Sequence, residues 1–407
     1  MTPDTSIYLH IPFCKHRCAY CDFNTYAGQN AMIPAYVDAL LKEIEFIGRQ
    51  HSNFTIFNVP TVFFGGGTPS LLCGPQFDSV MSALSSAFAL SADAEVNIEA
   101  NPGTISPAKL DAIRKAGINR ISFGVQSANT EELRMLEREH DFFTVIEAVS
   151  TARKAGFGNL NLDLIYALPE QTLKSWQTTV KRVLELQPEH ISAYALTLEH
   201  GTPFGKWADK GLLPLPDPDL AADMYEWTMD FLTQSGYAQY EISNWALGNG
   251  QQYADRGFPS LASKHNLQYW RSLPYLGLGA GAHGYAGGYR YSNVLRIKTY
   301  IDRLKANSQP LHGTYPLTPA TVNQHKQTRQ DDISDYMINN LRLVQAGVVE
   351  SDFRLRFGSG LLDIHPREIE ELIQSGLLEK KTSEVSEVFR LTRRGRLVGN
   401  QVFVKFV

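Results

Sequence analysis

Between Ser6 and Leu198 the chain alternates, six times over, a short β-branched or apolar run with an amphipathic stretch. The runs are "SIYLHIP", "TVFFGGG", "EVNIEANP", "RISFGVQ", "LNLDLIYALP" and "HISAYALTL". Between them "PAYVDALLKEIEFIG", "QFDSVMSALSSAF", "SPAKLDAIRKAG", "TEELRMLER" with "FFTVIEAVSTARKAG", and "TLKSWQTTVKRVLEL" read as helices. Several open after Ser, Thr or Pro and close on Gly, as at Ser106 to Gly117. Strands alternating with helices run parallel, each connected to the next by a helical crossover, so the rhythm predicts six βα units. Strands buried on both faces normally read as unbroken apolar runs. Here polar residues interrupt them late or just beyond: Gly65 to Thr68, Glu99 and Asn101, Gln126, and Asp163. In a barrel-like sheet those are the C-terminal strand ends, where active sites form. One buried carboxylate alone reads as a satisfied structural group, but four successive strands with polar residues at the same end point to a site.

Cysteine usage is as uneven as the strands are regular. Cys14, Cys18 and Cys21 lie within "CKHRCAYC", and Cys73 stands alone. Four cysteines so placed do not make a secreted disulfide framework, and a chain of 407 residues buries enough core without one. The opening "MTPDTSIYLHIPF" has neither the basic start nor the cleavage site of a signal peptide, so the expected compartment is the reducing cytoplasm. No run of eighteen apolar residues occurs, which predicts no transmembrane helix and leaves peripheral membrane contact and a homodimer open. The formal charge of -4 is spread over both halves, which argues against a general polyanion binder, and nucleic acid is not an expected partner.

Three thiolates on one loop pose a metal question. Structural zinc takes four ligands, commonly as two separated pairs; there is no second pair here, and His10 or His16 would have to supply the fourth. A cubane iron-sulfur cluster normally takes four thiolates, so three leave one iron open to a small chelating molecule.

The spacing Cys-x3-Cys-x2-Cys, with Tyr20 before Cys21, resembles the signature of the radical S-adenosylmethionine (SAM) superfamily. That resemblance implies an α/β fold with a partial (β/α)6 TIM-like barrel, and a [4Fe-4S] cluster on Cys14, Cys18 and Cys21 whose open iron chelates SAM. It also implies an electron donor for the cluster and cleavage of the sulfonium to a 5'-deoxyadenosyl radical. "GGGTP" (Gly65, Gly66, Gly67, Thr68, Pro69) looks like the family's glycine motif, where a missing Cβ lets backbone approach the SAM amino group. From "YLHIPFCKHRCAYC" through "FFGGGTPS", "IEANP", "ISFGVQS" and "LDLIYALPEQT" to the C-terminal region, the chain is similar to the anaerobic coproporphyrinogen III oxidase group. This implies Glu99 and Arg138 at the methionine and ribose end of SAM, Gln126 and Asp163 on the ribose hydroxyls, and Tyr8 beside the sulfonium. Charged acceptors suit hydroxyl donors.

The oxidase carries a fourth cysteine two residues after the third, where this chain has Phe23. The "CDF" form, together with "HNLQYW", resembles a haem-chaperone subgroup that binds haem and passes it to recipient haem proteins. His265 would then offer an axial imidazole, Tyr269 and Trp270 a flat apolar surface, and His283 in "GAGAHGY" is a second candidate ligand. The rival reading is a radical SAM enzyme, performing oxidative decarboxylation of coproporphyrinogen III or methyl transfer.

Three regions are expected: a barrel core over 1-236, a connecting segment over 237-318 containing "HNLQYW", and a mostly helical, winged-helix-like domain over 319-407. The long Gly- and aromatic-rich part of the connection reads as a lid or binding loop. A third reading, a nucleic-acid module, rests on Arg390, Arg393, Arg394 and Arg396 near the C-terminal hairpin.

Overall fold

The computed structural model describes residues 4-51, 58-248, 253-254, 257-305, 315-382 and 386-407. Two compact units emerge, one of Met1–Glu189, Ala193–Ala221 and Leu273–Lys326, the other of His190–Ser192, Ala222–Ser272 and Gln327–Val407. They cut across the expected boundaries at 236 and 319, and divide the connecting segment between them.

In the first unit, β1 (Ser6–Ile11), β2 (Asn58–Gly66), β3 (Ala89–Ala100), β4 (Arg120–Gln126) and β5 (Leu160–Tyr166) are neighbours in chain order, and every pair is parallel. The expected sixth strand, β6 (His190–Ala195), is also present. Helices α1 (Ile33–His51), α2 (Gly74–Ala87), α3 (Pro107–Lys115), α4 (Thr130–Met135), α5 (Phe142–Lys154) and α6 (Leu173–Leu184) make the connections. The caps read from the sequence are in place: Ser106 accepts from Lys109 N and Thr172 from Ser175 N, each worth about 1 kcal/mol to its helix. This is the partial TIM-like barrel, with Ile7, Leu9, Phe64, Ile98, Ile121, Phe123, Leu162 and Leu164 wholly buried in its strands.

Four strands were not legible in the sequence. Beyond β1, β7 (Tyr275–Leu278) joins the sheet in parallel, and β8 (His283–Ala286), β9 (Tyr289–Asn293) and β10 (Thr321–Lys326) extend it antiparallel. Much of the predicted loop is therefore sheet, and its residues 249-252 and 255-256 lie outside the described ones. Glu43 of α1 holds this extension to the barrel, accepting from Gly279 N (2.8 Å), Asn293 Nδ2 (2.8 Å), Tyr300 Oη (2.6 Å) and Thr318 Oγ1 (2.8 Å). Burial pushes its pKa up, and those four donors pull the other way.

The second unit contains the strand pair Tyr237–Glu241 and Asn244–Leu247, the helices Lys264–Trp270 and Arg329–Leu341, and a three-stranded antiparallel sheet in the order Val348–Val349, Glu387–Leu391, Leu378–Thr382. Ile333, Met337, Phe353, Leu361 and Leu391 form its buried core. The tip of the expected hairpin, 383-385, lies outside the described residues. Its arginines each contact a partner within their own unit, although Arg393 and Arg394 are exposed. Arg390 Nε donates to Glu379 at 2.6 Å, Arg393 grips Asp230 through both Nη atoms at 2.5 and 2.9 Å, Arg394 reaches the Ser375 carbonyl, and Arg396 reaches Gln239. Among the described residues no helix is long and apolar enough to cross a membrane.

Candidate functional site

A cavity of about 400 Å³ opens at the C-terminal ends of the barrel strands, within the size range of small-molecule sites. It gathers Cys14, Cys18 and Cys21 with Gly66, Gly67, Thr68, Glu99, Gln126, Arg138 and Asp163, although 149 residues of chain separate the first of these from the last. Tyr8 is the barrel residue expected here that does not line it.

The cysteine loop is held in shape by the barrel. Gly67 N donates to Ile11 O (2.9 Å), Thr68 N to Phe13 O (2.8 Å) and Tyr26 N to Pro12 O (2.8 Å). His10 Nε2 lies 2.9 Å from Asn24 O and must donate to it, so Nδ1 accepts from the Tyr8 hydroxyl at 3.0 Å. Burial holds the His10 pKa below its ordinary value, which keeps the ring neutral for this relay. Tyr8 is thus turned onto His10 rather than into the cavity.

These contacts bear on the metal question. Both nitrogens of His10 are engaged, and His16 Nε2 sits 3.1 Å from Glu137 Oε2, so neither imidazole joins the cysteines. Among the described residues no three His, Cys, Asp or Glu side chains converge on a point as a single zinc ion requires. Around the sulfurs lie Thr68 Oγ1 at 3.6 Å from Cys14, Arg138 Nη1 at 3.6 Å and Glu137 O at 3.9 Å from Cys18, and Thr25 Oγ1 at 3.9 Å from Cys21. Three thiols spread around one cavity wall suit a polynuclear cluster. Burial pushes the Cys14 and Cys18 thiols up, and iron would have to displace those protons.

The glycines answer first to the protein's own backbone. Gly66 has φ +110°, and a Cβ there would lie 2.6 Å from the His10 ring; a Cβ on Gly67 would lie 2.6 Å from Phe13 O. Gly66 N donates to Glu99 Oε2 at 2.9 Å. Burial, then the neighbouring Asp163 charge, lift the Glu99 carboxyl to about 8, against that one N–H. Asp163 accepts from Ser122 Oγ (2.7 Å) and Asn161 Nδ2 (2.8 Å). Sequence reasoning missed Ser122 and Asn161; their signal was a polar residue at an inward position of a strand that should be apolar throughout. Polar pairs also continue deeper into the barrel, where Arg120 Nη1 donates to Asn97 Oδ1 at 3.1 Å.

Gln126 closes β4 with φ 70°, a left-handed backbone that non-glycine residues adopt at a cost and that concentrates at functional sites. Arg138 Nη2 donates to Asn101 Oδ1 (2.6 Å) and Gly124 O (2.7 Å), while its buried Nε has no partner among the described residues. An orphaned cationic donor and two acid side chains suit a ligand with a carboxylate, an amine and ribose hydroxyls. Phe23, 67% exposed, stands at the rim. Cys73 is exposed.

"HNLQYW" lies in the second unit, on the helix Lys264–Trp270 that Ser263 caps. His265 is 1% exposed. Its Nε2 is 2.8 Å from the Tyr269 hydroxyl, with the rings edge to face at 4.9 Å. The Arg342 guanidinium lies 4.2 Å over the Trp270 ring and pairs with buried Glu241 at 3.6 Å. Ligation through His265 Nε2 therefore requires the Tyr269 bond to open. His283, exposed, begins β8.

Residues 8–183 match the model of the Radical SAM superfamily and residues 327–398 that of the HemN C-terminal domain. The chain is 37% identical to the haem chaperone HemW of Bacillus subtilis over 99% of both chains, and 33% identical to HemW of Escherichia coli over 100% of this chain and 98% of that one. Among solved structures, coproporphyrinogen III oxidase (HemN) of Escherichia coli superimposes with a TM-score of 0.79 at 27% identity, covering 100% of this chain and 90% of that one.

Proposed function

The chain belongs to the HemW family of radical SAM proteins, and from that premise we propose that it is a cytoplasmic haem chaperone, binding haem and delivering it to recipient haem proteins. The observation that carries this reading is the end-to-end similarity to HemW chaperones. Phe23, in place of the thiolate that the oxidase has there, and "HNLQYW" support it.

Cys14, Cys18 and Cys21 would hold a [4Fe-4S] cluster, and Glu99, Gln126, Arg138, Asp163 and the Gly66–Thr68 backbone would hold SAM. Together these cofactors supply one-electron reducing chemistry beside a sulfonium. The residues around them have definite tasks. The relay from Tyr8 through His10 to Asn24 O keeps the loop shaped to receive iron. Ser122 and Asn161 hold Asp163 in one orientation, so its oxygens are set before a ribose arrives. Glu99, with Gly66 N on one oxygen, keeps the other for an ammonium. A low-potential electron donor, a homodimer and contact with a membrane surface complete the proposed associations; flavoprotein reduction assays, sedimentation and vesicle flotation test them.

The deciding experiment is an anaerobic haem titration of the reconstituted protein, followed at the Soret band, with His265→Ala and His283→Ala beside it. Tight binding lost in His265→Ala supports the chaperone and its ligand; absence of haem binding by the wild type rejects the reading. The similarity to HemN favours one rival. Formation of protoporphyrinogen IX from coproporphyrinogen III, with SAM and reductant, would replace the chaperone-only account with an enzyme.

A further inference from the structure

The three cysteine sulfurs do not share one electrostatic environment. Cys14 and Cys21 lie against hydroxyls, Thr68 Oγ1 at 3.6 Å and Thr25 Oγ1 at 3.9 Å. Cys18 lies 3.6 Å from Nη1 of Arg138, a full cation, and 3.9 Å from Glu137 O. That cation is not placed by the sulfur. Its Nη2 is anchored on Asn101 Oδ1 at 2.6 Å and Gly124 O at 2.7 Å, both supplied by the barrel. Gly124 makes room for it, since a Cβ there would lie 3.2 Å from Nη2. The guanidinium is thus pre-positioned with Nη1 directed at a single sulfur.

We propose that Arg138 sets the reduction potential of the cluster through Cys18, a role separate from any contact with SAM. The inference rests on the reading that the three cysteines hold a [4Fe-4S] cluster. Reduction adds one electron, drawn from a low-potential one-electron donor, and leaves the cluster and its thiolates more negative by one charge. Hydrogen bonds to sulfur and net charge are what set such potentials. A charge-assisted N–H to thiolate strengthens as the sulfur gains electron density, and a partly dehydrated wall screens it less than water does. Arginine cannot lose its proton to relieve the interaction. The cation therefore favours the reduced state and raises the potential, bringing a SAM-type cluster within reach of its donor.

The test uses the full chain, reconstituted without oxygen, as wild type, Arg138→Lys and Arg138→Gln. Iron and sulfide are counted, and the midpoint potential is read by EPR-monitored titration, first without SAM and then with it. The expected result is a midpoint shifted downward in Arg138→Gln at equal iron content, already without SAM. Arg138→Lys should shift less, because the ammonium keeps the charge but cannot span Asn101, Gly124 and Cys18 at once. An unshifted Arg138→Gln midpoint, or a shift that appears only with SAM present, overturns the proposal. Should Arg138→Gln take up no iron, Arg138→Lys decides, and an unshifted midpoint there overturns it equally. A wild type that assembles no four-iron cluster refutes the cluster reading instead, and iron analysis tells the two failures apart.

Discussion

Glu99→Gln should stabilise the protein while weakening its hold on SAM. In the fold the Glu99 carboxyl is lifted from its ordinary 4.5 to about 8, by burial first and by the Asp163 charge second. Between those two values the native state holds a proton that the unfolded chain has released, so stability falls as pH rises through this window and levels off above it. At about 1.4 kcal/mol per tenfold change, the full penalty is about 5 kcal/mol above pH 8. Glu99 lines the cavity and is only partly buried, so solvent screening removes about half of that, leaving about 2–3 kcal/mol as the working figure. Glutamine keeps the acceptor for Gly66 N and carries no charge to desolvate. The assay is urea unfolding of the iron-free protein from pH 4.5 to 9, wild type against variant, with SAM binding measured by calorimetry on the reconstituted forms. The gap in unfolding free energy should be near zero at the acid end and reach its full size near pH 8. A variant less stable than wild type at pH 8.5, or a gap that does not change with pH, would refute the reasoning.

Two further outcomes are expected. Tyr269→Phe removes the hydroxyl that engages His265 Nε2; with a neutral bond worth about 1 kcal/mol no longer to be broken, haem should bind about fivefold tighter in a Soret titration if His265 Nε2 is the ligand, and an unchanged Kd would remove that nitrogen from the role. Gly67→Ala places a Cβ 2.6 Å from Phe13 O, which pushes the cysteine loop off the barrel; iron uptake on reconstitution should fall severalfold while far-ultraviolet circular dichroism stays near wild type, and full iron uptake would show that the glycine is not required by the loop.

What sequence alone determined here is local. The six βα units, the helix caps at Ser106 and Thr172, and the three-cysteine loop are written in spacings of a few residues, because strand period, capping and thiolate ligation all act over that range. The polar residues at the strand ends were legible for the same reason, since parallel register places those ends side by side. Tertiary structure decided what depends on register between distant segments. It brought β7 to the edge of β1, 269 residues away from Ser6 to Tyr275, and hung four donors from Gly279, Asn293, Tyr300 and Thr318 on Glu43. It set Arg138 against Cys18 across 120 residues of sequence and laid His10 against Asn24 O. A histidine in a motif reads the same whether its nitrogen faces solvent or a neighbouring hydroxyl, and an arginine reads the same whether it faces a ligand or a sulfur. Only packing chooses between them, because the desolvation of each group is settled by whatever the rest of the chain lays against it.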